Sequence, residues 1–568
     1  MMRLSRTLCS FSILFLLLEV LVLALLLYRT NGSFVGREQC FTTVRDAIKN
    51  DNLTSINLNY FSPRFDPASE PFNPRLTIEG CQAVCGNGYG FYSDVSPRLL
   101  GWLIPIFLII TSMPLPPIGT RRYFTIIHLF GNPIDSTWSL LCELELWNNY
   151  AVIAESLYGE RSLEEQKKKA KYTTPILVAM DDLKLISRTT FKPGNYPQIC
   201  PCHSSELDSL FFRTAGKLSN CRTHDTRRTC FAIAVYVVGV VANFVKTMGG
   251  SPSPSGGKIA PAMLLSWLLL TTLISNLIGQ FNSPENVIRI IEDFRNELRQ
   301  IMGMRVHESQ YTLRGKVERS EPVSELRVTT TELDRKQCSH MEVEDQRILW
   351  ENLVVGKINW ARDPNWIEYL DAPAHGIPIY QPNKQLGNNI RLFTISTIPV
   401  LLSFISAFTV LWSPPTYLTC RHFIVVAAFL AWLLSPFLTK AFFLSRRLRR
   451  NDELGWHLVL LKDFLIAGPI IALLIASTSG LFSSCWCLSG VFILRNKAEV
   501  QLNPAGDFNK ANGKIYPGIV AANFLLQLVV LGWIVMGVGR KQILSMRMSE
   551  SETREALIAE ISVRKTAR

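Results

Sequence analysis

The chain has 568 residues, of which 48% are hydrophobic and only 18% charged, and its formal net charge is +13. Its mean hydropathy of +0.17 is high for a soluble protein of this length. The apolar residues are gathered into runs of roughly 18 to 22, about the length that a helix needs to cross a bilayer. This pattern argues against a chain of soluble domains and predicts an all-α membrane protein, because a backbone in lipid must satisfy its own hydrogen bonds. We expect a polytopic helical bundle of about eight transmembrane helices with two large cytoplasmic loops.

The first predicted span lies within residues 1–28. Its apolar run, from Leu8 to Tyr28, follows Arg3 and Arg6 and is longer than the run of about 7 to 15 residues in a usual signal peptide. We therefore favour a signal anchor. A cleaved signal peptide is the alternative, and it would leave seven spans.

Residues 29–98 are predicted to lie outside the cytoplasm and to carry N-linked glycans. The two N-x-S/T sequons of the chain, at Asn31 and Asn52, both fall in this segment. Asn31 is close to the membrane, so Asn52 is the better candidate for glycosylation.

The cysteines of the outside segments are predicted to form disulfides, because these segments meet an oxidising compartment. Three of them, Cys40, Cys81 and Cys85, lie in residues 29–98. An odd number leaves one without a partner, which would then come from another outside loop. The candidates for that partner are Cys485, Cys487 and Cys420. Spacing alone does not fix the connectivity.

The second predicted span, residues 99–118, leads into a cytoplasmic loop at residues 119–229. Near its start, an apolar stretch is followed by the turn-forming sequence 131–136 and by a helical run at 139–146. That run is short and contains two glutamates, so we predict a helical hairpin in the membrane interface and not a further span.

A basic stretch follows in the same loop, with Lys167, Lys168, Lys169 and Lys171. Such a cluster can bind anionic lipid at the cytoplasmic face, at about 1 kcal/mol per basic residue near the surface. The favoured alternative is a solvated helix face, with glutamates one turn earlier as partners.

The third and fourth predicted spans, residues 230–245 and 259–278, are joined by a short outside linker. A second cytoplasmic loop then covers residues 279–392. Ser283, followed by Pro284 and an acidic residue, is a good helix start. Apolar residues then recur at helical spacing, which predicts an amphipathic helix over residues 284–302.

The remaining predicted elements are spans at 393–411, 423–438, 464–482 and 517–538, an outside loop at 483–516 and a cytoplasmic tail at 539–568. Arginine and lysine clusters flank alternate ends of the spans, and the positive-inside rule places these clusters in the cytoplasm. They include Arg121, Arg122, Arg222, Arg227, Arg228, Arg446, Arg447, Arg449, Arg450, Arg540, Lys541 and Arg547. The basic residues of the 483–516 loop fit this orientation less well.

Motifs for catalysis and for cofactor binding are absent from the sequence, so we predict no catalytic, cofactor-binding or metal-binding residue. Cys200, Cys202 and His203, with Cys221 and His224, do not have a standard zinc-finger spacing. His203 and Asp208 match an H-x4-D acyltransferase pattern, but a match this short is expected often by composition alone.

Ionisable groups inside spans are a sharper test for transport, because ion-coupled carriers place them near the middle of the membrane. Beyond Glu19, the predicted spans contain none, and Lys246, Lys440, Lys462 and Asp463 are assigned to span ends. Proton-coupled transport is therefore disfavoured. A channel, scaffold or lipid-facing role needs no such charge.

Several stretches resemble the multi-pass membrane proteins that occur in large numbers in filamentous fungi and have no assigned activity. The stretches that carry the resemblance are residues 131–140 (GNPIDSTWSL), 413–422 with Cys420-Arg421-His422, and 480–487 (GLFSSCWC). In similar proteins the second stretch contains glycines that are missing here. The resemblance implies a multi-pass topology and a fungal source, and it implies no substrate, cofactor or catalytic residue.

The sequence thus favours a non-enzymatic protein of the plasma membrane or secretory pathway that acts as a sensor, scaffold or channel-like component. Its predicted partner is the lipid bilayer, with no nucleic acid, and its protein partners are not indicated. The alternative is a membrane-embedded enzyme that acts on lipid or sugar.

Overall fold

The computed structural model describes most of the chain as helices. The described residues are 37–49, 60–62, 75–86, 92, 95–114, 122–156, 163–182, 204–223, 226–248, 256–281, 284–301, 382–412, 418–444, 452–501, 515–536, 548 and 550–566. The predicted first span, both sequons (Asn31 and Asn52) and Cys200, Cys202, His203 and His224 lie outside these residues.

Eighteen α-helices and four short strands make up the described part of the chain. The helices are α1 (Arg37–Lys49), α2 (Ile78–Cys85), α3 (Val95–Thr111), α4 (Arg122–Gly131), α5 (Pro133–Ser156), α6 (Leu163–Asp182), α7 (Ser204–Asn220), α8 (Thr226–Met248), α9 (Gly256–Leu264), α10 (Trp267–Ile278), α11 (Pro284–Ile301), α12 (Pro382–Leu411), α13 (Cys420–Leu444), α14 (Asp452–Ser479), α15 (Cys485–Leu488), α16 (Val491–Leu494), α17 (Ile515–Ile534) and α18 (Glu550–Thr566). The strands are β1 (Arg75–Thr77), β2 (Arg222–Thr223), β3 (Gln280–Phe281) and β4 (Glu499–Gln501).

Five helical segments among the described residues are long and apolar enough to cross a membrane. They are Ile259–Ile278, Ile390–Leu411, Cys420–Phe442, His457–Ser479 and Tyr516–Ile534. These segments overlap five of the predicted spans, which supports an all-α membrane protein. Helix α3, at the predicted span 99–118, is shorter and apolar, and α8 covers the predicted span 230–245 with 23 residues.

The outward faces of the spans carry large apolar side chains, as expected of helices in contact with lipid. On α17, Leu525 and Val529 are 63% and 66% exposed. On α3, Ile104 and Phe107 are about half exposed. The inward faces build one continuous core in which Trp267 and Trp432 meet edge to face with ring centroids 6.1 Å apart.

Hydroxyl and amide side chains join the spans to one another inside this core. Ser266 of the α9–α10 break receives hydrogen bonds from Asn523 and Gln527 of α17, each at 2.9 Å, and pairs with Ser403 of α12 at 2.8 Å. Asn276 of α10 donates to Thr229 of α8 at 2.6 Å. These groups therefore hold helices together, as interhelical hydrogen bonds do in membrane bundles.

Among the described residues, three disulfides join distant segments at one end of the bundle, called the disulfide end below. They are Cys40–Cys85, Cys81–Cys485 and Cys420–Cys487, with Cα atoms 5.3, 5.9 and 5.1 Å apart. The structure thus pairs all six cysteines that the sequence singled out, including Cys420. Strand β1 also pairs antiparallel with β4, which joins the same two segments a second time.

A helical bundle closes the opposite end. Helices α6, α7, α11 and α18 pack together there, with Arg213 of α7 between Glu297 of α11 (3.1 Å) and Glu560 of α18 (3.3 Å). One face of α11 is buried against this bundle, so the predicted amphipathic helix is present. Its buried apolar residues are Val287, Ile291, Phe294 and Leu298. Lys171 of the basic stretch contacts Glu552 of α18 at 2.6 Å.

Candidate functional site

Helices α4 and α5 form an elbow whose bend is buried in the bundle. Asn132 lies between the two helices, and its side-chain oxygen accepts a hydrogen bond from the Asp135 backbone N–H at 3.3 Å. Pro133 takes the first position of α5, where a missing N–H costs nothing. Asparagine as the N-cap followed by proline is a strong local signal for a helix start, so the sequence itself fixes this bend.

The buried bend corrects the prediction of an interfacial hairpin. Every described side chain from His128 to Cys142 is buried, whereas an interfacial helix would keep one polar face open to water. Helix α4 packs against α14, and α5 packs against α12, α10 and α13. A Cβ at Gly131 would lie 2.4 Å from the backbone oxygen of Asp463, so only glycine allows this approach.

Four ionisable side chains meet where the elbow touches α14, and we call them the charge cluster: His128, Asp135, Lys462 and Asp463. Their relative exposures are 1%, 1%, 6% and 0%. His128 Nδ1 lies 2.6 Å from Asp463 Oδ2. His128 Nε2 lies 3.6 Å from Asp135 Oδ2, beyond hydrogen-bond distance but close for two charges.

Lys462 is held by its chain neighbour and by α13. Its Nζ lies 2.7 Å from Asp463 Oδ1, and this contact is an ion pair more than an aligned hydrogen bond. The same Nζ donates to Ser435 Oγ at 2.6 Å and to Thr439 Oγ1 at 2.9 Å. It also donates to the Ser435 carbonyl oxygen at 3.3 Å. The ammonium therefore has four oxygen neighbours, which offset the cost of burying it.

Asp135 is the least compensated member of the charge cluster. Its Oδ2 accepts a hydrogen bond from Asn132 Nδ2 at 3.0 Å, while its Oδ1 is buried without a hydrogen-bond partner among the described residues. Asn132 also donates to Thr439 at 3.2 Å. The elbow, α13 and α14 are thus tied into one polar network by Asn132 and the charge cluster.

The charge cluster lies well away from the disulfide end along α14. Asp463 precedes Ser479, the last residue of α14, by 16 positions, or about 24 Å along the helix. The candidate span His457–Ser479 includes Lys462 and Asp463, whereas the sequence prediction put them at a span end. The predicted span begins only after these charges, because charged residues break an apolar run in the sequence. The helix itself continues through them, since other helices supply their partners.

Burial and neighbouring charges shift the pKa values of the two members on the elbow. Burial raises the pKa of the Asp135 carboxyl from 3.8 to about 7, against the opposing effect of His128 and Lys462. For His128, burial lowers the pKa, but the carboxylates of Asp463 and Asp135 together outweigh it, so the pKa lies above the ordinary 6.5. The charge cluster can therefore take up and release a proton near neutral pH.

The described residues include one group of side chains that are close enough together to share a metal ion, and its cysteines are already disulfide-bonded. The single group of potential ligands close enough to share an ion is Cys81, Cys85 and Cys485, and each of these sulfurs belongs to a disulfide. Cys221 is a free, half-buried cysteine. Asp208, from the H-x4-D pattern, is half-buried on α7.

No family model matches the sequence, and no curated protein or solved structure matches the chain. The resemblance to fungal multi-pass membrane proteins stays a prediction. The features of the molecule that bear on function are the charge cluster and the two ends of the bundle.

Proposed function

We propose that this chain is an eight-span membrane protein that acts as a proton-responsive sensor and not as an enzyme. The observation that carries the proposal is the buried charge cluster at the bend of the elbow. A proton on Asp135 cancels its attraction for His128, which changes the net charge at the contact between the elbow and α14. A buried carboxylate with one oxygen unpaired is costly, so the elbow docks most tightly while Asp135 is protonated and less tightly as pH rises.

Helix α5 connects the charge cluster to the helical bundle at the opposite end. It begins at the charge cluster, and its other half packs against α6 of the helical bundle at the opposite end. Along the way, Glu145 of α5 lies 3.6 Å from Arg391 of α12, and the Trp147 ring lies 3.8 Å from the Arg222 guanidinium. A small rotation of α5 would therefore move α6. Helix α6 packs against α7, and α7 packs against α18.

The proposed orientation puts the disulfide end outside the cytoplasm, in the plasma membrane or secretory pathway. Its support is that the cysteine-bearing segments, predicted outside from the positive-inside rule, meet at one end, while α6, α7, α11 and α18, predicted inside, meet at the other. The eighth span would be the signal anchor within residues 1–28.

Glycosylation tests this orientation. We expect Asn52→Gln to abolish a mobility shift on endoglycosidase treatment of the expressed chain, and Asn31→Gln to leave it unchanged because Asn31 is close to the membrane. In sealed vesicles with the cytoplasmic face outward, protease should cleave the 279–392 loop. Protection of that loop, with cleavage of the disulfide end instead, would reverse the proposed orientation.

The proton site is tested by the pH dependence of unfolding. Raising the pKa of Asp135 from 3.8 to about 7 favours the folded state while the carboxyl is protonated, and this contribution is lost as pH rises through that window. The full shift corresponds to on the order of 4 kcal/mol. The raised pKa of His128 acts in the same direction, with its contribution lost as pH rises through the folded pKa. We expect the wild type to melt at a lower temperature at pH 8 than at pH 6, and Asp135→Asn to have a flatter profile.

Sensing requires that protonation moves the elbow, and Cys142 provides a reporter. This free cysteine lies on α5 and is buried, whereas the free Cys230 is exposed. We expect the maleimide labelling rate of Cys142, corrected by that of Cys230, to change with a midpoint near pH 7. The change should vanish in Asp135→Asn and persist in the exposed control Asp293→Asn. A corrected rate that is independent of pH would contradict the sensor proposal.

Proton-coupled transport is a second candidate, because Lys462 and Asp463 lie inside a candidate span. A carrier or channel would dissipate a proton gradient across sealed liposomes, whereas a sensor would hold it. The membrane-enzyme alternative would gain support if substitution of His203 or Asp208 changed the lipid profile of the cell.

A further inference from the structure

Arg421 is a buried cation at the disulfide end that has no carboxylate partner among the described residues. It is the second residue of α13, next to the disulfide-bonded Cys420, and is 4% exposed. Its Nη2 donates to Tyr92 Oη at 2.6 Å, and its Nε is buried without a hydrogen-bond partner. Its guanidinium carbon also lies 5.8 Å from the centroid of the same tyrosine ring.

The surroundings of this guanidinium add positive potential. Its Nη1 lies 2.0 Å from where a Cβ of Gly257 would be, so it lies against the first turn of α9. The first four N–H groups of a helix have no partner within the helix and carry a partial positive charge. A second buried arginine, Arg98, is stacked on the Tyr92 ring at 3.8 Å from its centroid.

A buried guanidinium beside a helix N-terminus is costly unless an anion accompanies it. We propose that Arg421, Tyr92 and the N-terminal turn of α9 form a binding site for a phosphate group. The guanidinium offers its donors in a planar fork that matches two oxygens of an oxyanion. Helix N-termini bind phosphate through their backbone N–H groups.

The phosphate could come from two sources, because the site is at the end of several candidate spans. One source is the headgroup of a phospholipid, and the other is a soluble phosphate. Either source would account for a glycine at position 257, because a side chain there would displace the Arg421 guanidinium from the N-terminal turn of α9.

Two measurements on the full-length protein, purified in a phosphate-free maltoside detergent, test the proposal. The first follows the thermal unfolding midpoint as inorganic phosphate is added, and the second counts phosphatidylglycerol retained in native mass spectrometry. We expect the wild type to bind in at least one measurement and Arg421→Gln to bind about tenfold more weakly or worse, as loss of charge-assisted hydrogen bonds implies. Arg495→Gln, at an exposed arginine of the same end, should bind like the wild type.

Gly257→Ala provides a second variant that keeps the charge. The atom its methyl group would meet is the far end of a flexible side chain, so the fold should tolerate it while the guanidinium moves. We expect weakened binding with an unchanged gel-filtration profile. A response to inorganic phosphate identifies a soluble ligand, and a response to lipid alone identifies a headgroup. The proposal is overturned if the wild type binds in neither measurement, or if Arg421→Gln and Gly257→Ala both bind as the wild type does.

Discussion

Replacing Asp463 with asparagine should destabilise the protein by about 3 to 5 kcal/mol, the usual cost of removing one partner from a buried ion pair. Asp463 is the shared counter-ion of the charge cluster, at 2.6 Å from His128 and 2.7 Å from Lys462. Asparagine keeps the shape but leaves two buried cations with the carboxylate of Asp135 alone. The measurement is the midpoint of thermal unfolding in detergent, followed by tryptophan fluorescence.

Lys462→Gln completes a double-variant cycle with Asp463→Asn. Because the two side chains form an ion pair, we expect the double variant to lose less stability than the sum of the single variants, with a coupling of about 0.5 to 3 kcal/mol. Lys440→Gln is the matched control. This lysine follows Thr439, a partner of Lys462, on the neighbouring helix α13, but it is exposed. It should change stability by less than about 0.5 kcal/mol. Additive effects of the Lys462 and Asp463 substitutions would show that the two charges do not interact.

The helical membrane class and five of the spans could be predicted from the sequence because hydropathy reports directly on contact with lipid. The amphipathic helix α11 was predicted for a similar reason, since its apolar spacing is a local property. The cysteines at the disulfide end were also identified by segment. Their pairing could not be predicted, because it depends on which segments the fold brings together at this end, including the start of α13 and the 483–516 loop.

The charge cluster could not be predicted, because its members are separated by up to 335 positions between His128 and Asp463. Each looks ordinary in the sequence, and Lys462 and Asp463 look like the charged edge of a span. One local signal did exist: Asn132, Pro133 and Asp135 form a good helix start in an otherwise apolar stretch. A capped helix start with apolar flanks on both sides indicates a bend that is buried, and the interfacial-hairpin prediction overlooked this.

The same bend leads to a prediction about two glycines. Gly131→Ala should destabilise the protein by about 1 to 3 kcal/mol or more, as overpacking does in a filled core. Its methyl group would lie 2.4 Å from the backbone oxygen and 2.6 Å from the Cα of Asp463. Backbone atoms of a long helix give way far less easily than a side chain. Helix α4 must therefore move from α14, which also lengthens the contact between His128 and Asp463.

Gly468→Ala is the matched control, since Gly468 lies on α14 one turn beyond the charge cluster and has open space where its Cβ would be. Within a helix, replacing glycine with alanine adds about 0.5 to 1 kcal/mol of stability. Thermal unfolding should therefore shift in opposite directions for the two variants. The pH dependence of unfolding should weaken in Gly131→Ala and persist in Gly468→Ala, because only the first separates the elbow from Asp463. Equal shifts in both variants would mean that the elbow does not pack closely against α14.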